Sequence, residues 1–135
     1  MRIAVVSVAR QKGVPEYVKS LVKGMDSMGH RVDVLDAWTD EGMRLPGYEY
    51  IAICAEKSKF FSGKLPEVLT GFIGAGSGLM GKKSAAFVKK SGFMFMSKAL
   101  ANLMKAMEKE GMRINWSDII LNSAQAEALG KRIGA

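Results

Sequence analysis

Three short apolar runs constrain this chain more than anything else in it. Residues 3–8 (IAVVSV), 50–55 (YIAICA) and 83–88 (KSAAFV) are six residues each, and none alternates strictly with polar residues. Runs this short do not make buried helices. They read as strands covered on both faces, the mark of a parallel sheet between two helical layers. The segments between them carry the helical period instead. Val14-Pro15-Glu16 opens a helix, with proline at home in the first turn. Val18, Leu21, Val22, Met25 and Met28 share one face of it, and Gly29 is its stop. Residues 31–35 (RVDVL) alternate as a second strand, and 38–47 read as a loop.

Pro66 opens a helix carrying Val68, Leu69, Phe72 and Ile73. Ser97 is placed to cap a long helix with Leu100, Leu103, Met104 and Met107, ending at Gly111. Residues 112–115 and 119–121 offer a fifth strand, split or displaced. Asn122 with Gln125 makes a capping pair for a last helix that runs to about residue 133. Strands alternating with helices, joined by right-handed crossovers, predict an α/β fold: a three-layer, doubly wound, five-stranded parallel sheet of order 2-1-3-4-5. With no repeat and no linker composition, residues 1–135 read as a single domain.

In such a sheet, ligands bind outside the carboxyl ends of the strands, at the switch point between strands one and three. The loops 9–15, 55–65 and 89–98 converge there. They hold Arg10, Lys12, Lys57, Lys59, Lys64, Lys89, Lys90 and Lys98 against one acid, Glu56. The chain's whole excess of +7 therefore falls on this edge, and the other residues balance. An anionic small molecule or an acidic partner is the expected ligand. In the first loop Ser7, Arg10, Gln11, Lys12 and Gly13 precede a helix N-terminus, which favours an anion. Phe60 and Phe61 in the second loop, with Ser91, Gly92 and Phe93 in the third, are candidates to frame a planar ring.

Other chemistries are poorly supplied. His30 is the only histidine and lies in the turn before the second strand, so no triad or metal site is expected. Cys54, the only cysteine, reads as a buried, inert thiol and points to a reducing, cytoplasmic compartment. Asp33 and Asp36 flank the second strand and lack a carboxylate partner at the ligand edge. The letters G-x-G-x-x-G occur at 76–81, but after a helix and before a strand, the reverse of a dinucleotide fingerprint. Basic charge without a recognition motif argues against nucleic acid. The opening apolar run is too short for a membrane span and makes a poor signal peptide.

With these elements in place, the chain resembles the flavodoxin-like superfamily over nearly its whole length. The segments 3–37, 60–74 and 81–112 carry the likeness, the middle one through its loop-Gly-Lys-x-Pro-helix pattern. The resemblance implies a redox protein that binds FMN, with the first loop on the phosphate and the loops after strands three and four on the ring. It would be an electron carrier, or an enzyme like the NAD(P)H-dependent FMN reductases with NAD(P)H as transient donor. Relatives of that kind pair over the ring, so a homodimer is compatible with the chain. Lysines such as Lys57, Lys89 or Lys90 beside the ring would favour its anionic reduced form. The phosphate loop departs from the hydroxyl-rich T/S-x-T-G-x-T pattern, keeping only Ser7, and Ser7 with Arg10 is nearer the reductases' G-S-x-R-x-x-S. The alternative is a module of the same fold with a degenerate phosphate loop. It would bind no flavin and use its basic edge for another anion or an acidic protein.

Overall fold

The computed structural model describes residues 1–59 and 61–133. Five strands, β1 (Arg2–Val8), β2 (Arg31–Asp36), β3 (Tyr50–Ala55), β4 (Lys83–Lys89) and β5 (Arg113–Ile120), form one parallel sheet in the order β2-β1-β3-β4-β5. Four α-helices cover it: α1 (Glu16–Ser27), α2 (Val68–Gly74), α3 (Met96–Lys109) and α4 (Ser123–Arg132). The doubly wound architecture expected from the alternation is the one observed.

Side-chain alternation along buried strands divides the interior into two cores. Ala4, Val6, Val8, Ile51, Ile53, Ala86 and Val88 face α2 and α3 and meet Leu69, Phe72, Leu103 and Met107. Ile3, Val5, Ala52, Cys54, Ala85 and Phe87 face α1 and α4 and meet Val18, Leu21, Met25, Ala126 and Leu129. Each large apolar side chain buried this way contributes roughly 1.5–3 kcal/mol against exposure. On the second face α1 and α4 touch through glycines. Gly24 lies under the carbonyl of Glu127, and Gly130 under that of Leu21, leaving no room for a Cβ at either position.

Four local expectations need correction. Residues 38–47 are not wholly irregular, because Gly42–Gly47 forms a 3-10 helix with Pro46 inside it. Pro15 is the N-cap of α1, in an extended conformation, rather than its first helical residue. Ser97 does not cap α3. The chain enters that helix through Phe95, which holds a left-handed backbone (φ 64°) rare for a bulky residue. β5 is one strand, with a register shift opposite Ser84 and Ala85 that leaves Asn115 as an extra residue. The Tyr50 hydroxyl donates to that asparagine's Oδ1 at 2.6 Å.

The helix ends are otherwise legible. Gly29 (φ 85°) follows α1 and Gly111 (φ 84°) follows α3. Asn122 caps α4, its Oδ1 accepting from the Gln125 N–H at 2.8 Å, while Gln125 reaches back to the Leu121 N–H at 2.5 Å. The glycines of 76–81 lie in the connection from α2 to β4, at the amino edge of the sheet. There Gly81 donates its N–H to the Gly111 carbonyl at 2.8 Å.

Candidate functional site

The carboxyl ends of β1, β3 and β4 bring the three basic loops to one edge. The loop after β1 is tied down from within. The Ser7 hydroxyl, 1% exposed, donates to the Gly13 carbonyl at 3.3 Å. Gly13 has φ 129°, a conformation other residues rarely adopt, and its N–H donates to Asp36 Oδ2 at 2.8 Å. Asp36 Oδ1 takes the Trp38 N–H at 3.0 Å, and the Trp38 indole donates to the Ala9 carbonyl at 2.8 Å. The Arg10 N–H donates to Glu56 Oε1 at 3.0 Å, and its Nε to the Lys57 carbonyl at 2.8 Å.

Two of the N–H groups expected to grip an anion thus already face carboxylates, and the one hydroxyl in the loop is committed to the backbone. Gln11 and Lys12 stay exposed beside a shallow cleft of about 250 Å³. Asp36 is the residue that sequence reasoning missed. It ends β2, and in a 2-1-3 order that end lies beside the first loop. With Asp36 counted, the edge's excess falls from seven charges to six.

The loops after β3 and β4 are joined to each other. Lys57, expected at the rim, is fully buried, and its Nζ donates to the Met94 carbonyl at 2.7 Å. Asn102 on α3 donates to the Gly63 carbonyl at 2.9 Å, and the Ser58 N–H donates to the Lys64 carbonyl at 2.8 Å. Phe61 is 72% exposed and Phe93 92% exposed, with the Lys90 ammonium 5.7 Å from the Phe93 ring centre. Gly92 turns the chain with φ 69°, and the Ser91 N–H meets Met96 Sδ at 3.4 Å. Phe60 lies outside the described residues. Phe93 and Lys90 face a groove shared with Leu121 and Gln125, toward β5 and α4.

His30 sits at the opposite end of the sheet, with Nδ1 3.1 Å from the Met1 amino group and Nε2 3.1 Å from the Ile133 carbonyl. Among the described residues, no three His, Cys, Asp or Glu side chains converge to hold a metal ion, and no helix is long and apolar enough to cross a membrane.

The ionisable groups buried on the α1–α4 side include Tyr50, whose phenol burial pushes up to about 12, and the pair Cys54 and Tyr17. Burial pushes the Cys54 thiol far up, and it pushes the Tyr17 phenol well above its usual range, helped by Cys54 and Glu56 nearby. Both keep their protons when folded, whereas the unfolded chain releases them from about pH 8.5 for the thiol and about pH 10 for the phenol. The unfolded state then binds fewer protons. Stability is fully present below about pH 8.5 and falls above it, by about 1.4 kcal/mol per pH unit for each group ionised only in the unfolded state. Urea unfolding across this range is expected to trace that decline, and Cys54→Ala to remove its earlier limb.

The fold is that of several flavodoxins of known structure. The chain has a flavodoxin-like fold. It superposes on oxidised flavodoxin 1 from Bacillus cereus with a TM-score of 0.73 at 17% identity, covering 99% of this chain and 95% of that one. Against the Streptococcus pneumonia TIGR4 flavodoxin the TM-score is 0.75 at 14% identity, covering 98% and 94%. Against a flavodoxin from the domain Archaea it is 0.67 at 20% identity, covering 99% and 94%. No protein-family model matches the sequence, and no curated protein matches it.

Proposed function

We propose that this chain binds FMN at its carboxyl edge and works as a flavodoxin-like redox protein, either an electron carrier or an NAD(P)H-dependent reductase. The observation that carries the reading is the solvent exposure of aromatic side chains in the two loops that close this edge, Phe93 above all. Phenyl rings left this open in a fold of this kind gain most from a planar ring that covers them.

The residues fit such a ligand in a particular way. Ring-covering surface is present, and Ser91 and Gly92 lie at the base of the same loop. The phosphate would be held by the side chains of Arg10, Lys12 and Gln11, since the N–H groups of Arg10 and Gly13 are directed at Glu56 and Asp36. Bound flavin supplies the electron storage and transfer, while the chain supplies orientation and charge. Lys89 and Lys90 are the cations left to act on the ring, because Lys57 is tied to the Met94 carbonyl.

Those two carboxylates favour a second reading. An anion in this loop meets Asp36 and Glu56, which suits a module that binds no flavin and offers its basic rim to an acidic protein. Titration with FMN separates the two. Quenched flavin fluorescence at about 10 µM protein supports the first reading. In that case Asp36→Asn, by removing one negative charge near the phosphate, is expected to tighten FMN about fivefold, roughly 1 kcal/mol. FMN that stays fluorescent with both proteins sinks the flavin reading and leaves the second.

A further inference from the structure

Four of the five strands open on a cation: Arg2 in β1, Arg31 in β2, Lys83 in β4 and Arg113 in β5. The register sets Arg2 beside Arg31 and Lys83 beside Arg113. Neighbouring strands lie about 4.8 Å apart, and like charges held side by side at that spacing repel. All four residues are exposed. Arg2 is partly engaged, through Nη1 to the Gly47 carbonyl at 3.2 Å and over the Tyr48 ring. The side chains of Arg31, Lys83 and Arg113 make no hydrogen bond or ion pair among the described residues. In the segments that lead into the strands (28–30, 48–49, 75–82 and 110–112), Glu49 and Glu110 are the acids, against these four cations and Lys82.

Between the two cation pairs the border is hollow. A depression of about 440 Å³ lies over the heads of β1, β3 and β4, lined by Glu49, Gly78, Met80, Gly81, Lys82 and Lys83. Its wall is the glycine-rich connection 76–81. Gly78 (φ 87°) and Gly81 (φ 77°) turn this segment, and the Lys82 ammonium holds it by donating to the Pro46 carbonyl at 3.0 Å. The turn leaves Met80 83% exposed. A bare methionine is a soft, adaptable contact for an apolar side chain. Tyr48 and Tyr50, at the head of β3, are buried, so they offer no surface on which bases could stack. A concave border with an apolar wall also fits a protein side chain better than a flat layer of lipid headgroups.

We propose that the amino border of the sheet is a docking site for an extended acidic segment of a partner protein, its carboxylates on the cation pairs and an apolar side chain in the hollow against Met80. The planar fork of arginine takes a carboxylate through two hydrogen bonds, which suits Arg31 and Arg113 at the two ends of the row. From β2 to β5 the row crosses the whole sheet. At the usual strand spacing that is about 19 Å, the reach of about six extended residues. The site lies at the opposite end of the strands from the flavin reading and does not rest on it.

The probe is a dye-labelled peptide of about six acidic residues placed evenly around a central leucine, followed by fluorescence anisotropy at about 50 mM salt. Binding is expected at about 10–100 µM. Arg31→Gln combined with Arg113→Gln should weaken it about fivefold or more, and Met80→Ser about fivefold. Lys59→Gln combined with Lys64→Gln, at the carboxyl edge, should change it less than about twofold. The double arginine variant should melt at the parent's temperature or slightly above it, because it relieves repulsion within both pairs.

A parent protein that leaves the peptide free at about 200 µM overturns the proposal. So does affinity lost in the double lysine variant and kept in the double arginine variant, which puts the peptide at the carboxyl edge. A double arginine variant that melts several degrees lower and still binds assigns the row to the helix C-termini that end here, and overturns the proposal too. An oligothymidine of about twelve nucleotides and vesicles with about one-third phosphatidylserine serve as rivals. Either one binding tighter than the peptide, and released by the double arginine variant, makes the partner a nucleic acid or a membrane and overturns its assignment as a protein. FMN bound or ignored leaves each of these outcomes unchanged.

Discussion

Gly24→Ala and Gly130→Ala are each expected to cost at least about 3 kcal/mol, measured by urea unfolding against the parent. A Cβ at residue 24 overlaps the Glu127 carbonyl oxygen, and one at residue 130 overlaps the Leu21 carbonyl oxygen. These obstacles are backbone, so no rotamer change relieves them. The helices must move apart, and Leu21, Met25 and Leu129 lose their close packing as they do. Overpacking ordinarily costs 1–3 kcal/mol, and sites that cannot yield exceed it. Alanine is the better helix former by about 1 kcal/mol, so an intrinsic-propensity argument predicts the opposite sign. The double variant should cost less than the two singles together, because separating the helices once serves both. Unchanged stability in either single would mean that the helix contact is looser than described.

Lys57→Ala is the second large effect, expected at about 2–4 kcal/mol. The side chain is wholly enclosed, so truncation leaves a cavity the length of its stem and takes a donor from the Met94 carbonyl. Lys57→Met restores the stem without the ammonium and should recover part of the loss. Amide exchange adds a local reading. The segments 57–64 and 91–95 should open together in Lys57→Ala, because one side chain joins them. Parent-like exchange in both loops would show that the ammonium contributes nothing to their union.

The parts of this fold that the sequence disclosed are those with a single physical cause. Continuous apolar runs gave β1, β3 and β4, since only a strand covered on both faces tolerates them. Gly29 and Gly111 marked helix ends because φ values above 80° suit few other residues. β5 was harder to read: Asn115, Ser117 and Asp118 interrupt its apolar residues, as they can on an edge strand with a bulge. Nothing local announces Phe95 as the lead-in to α3, because a left-handed backbone is rare for a bulky residue.

At the carboxyl edge, charge and strand order located the loops but not their internal bonds. Asp36 could have been placed beside Gly13 from the strand order alone, as the last residue of the strand next to β1. Lys57 could not. Six lysines within two loops look alike in sequence, and which one turns inward depends on where the Met94 carbonyl lies.

The extra residue in β5 also bears on how copies of this chain meet one another. An edge strand exposes a row of backbone donors and acceptors, and a flat row recruits a neighbour's strand into fibrils or clumps. At eight residues β5 matches or exceeds the other strands in length, and its row is broken at Asn115, with Arg113 and Asp118 on either side of the break. A second chain laid along it would fall out of step after two residues. Deleting Asn115 would straighten the strand and leave a continuous edge, trading a crooked border for one on which sheets can zip together.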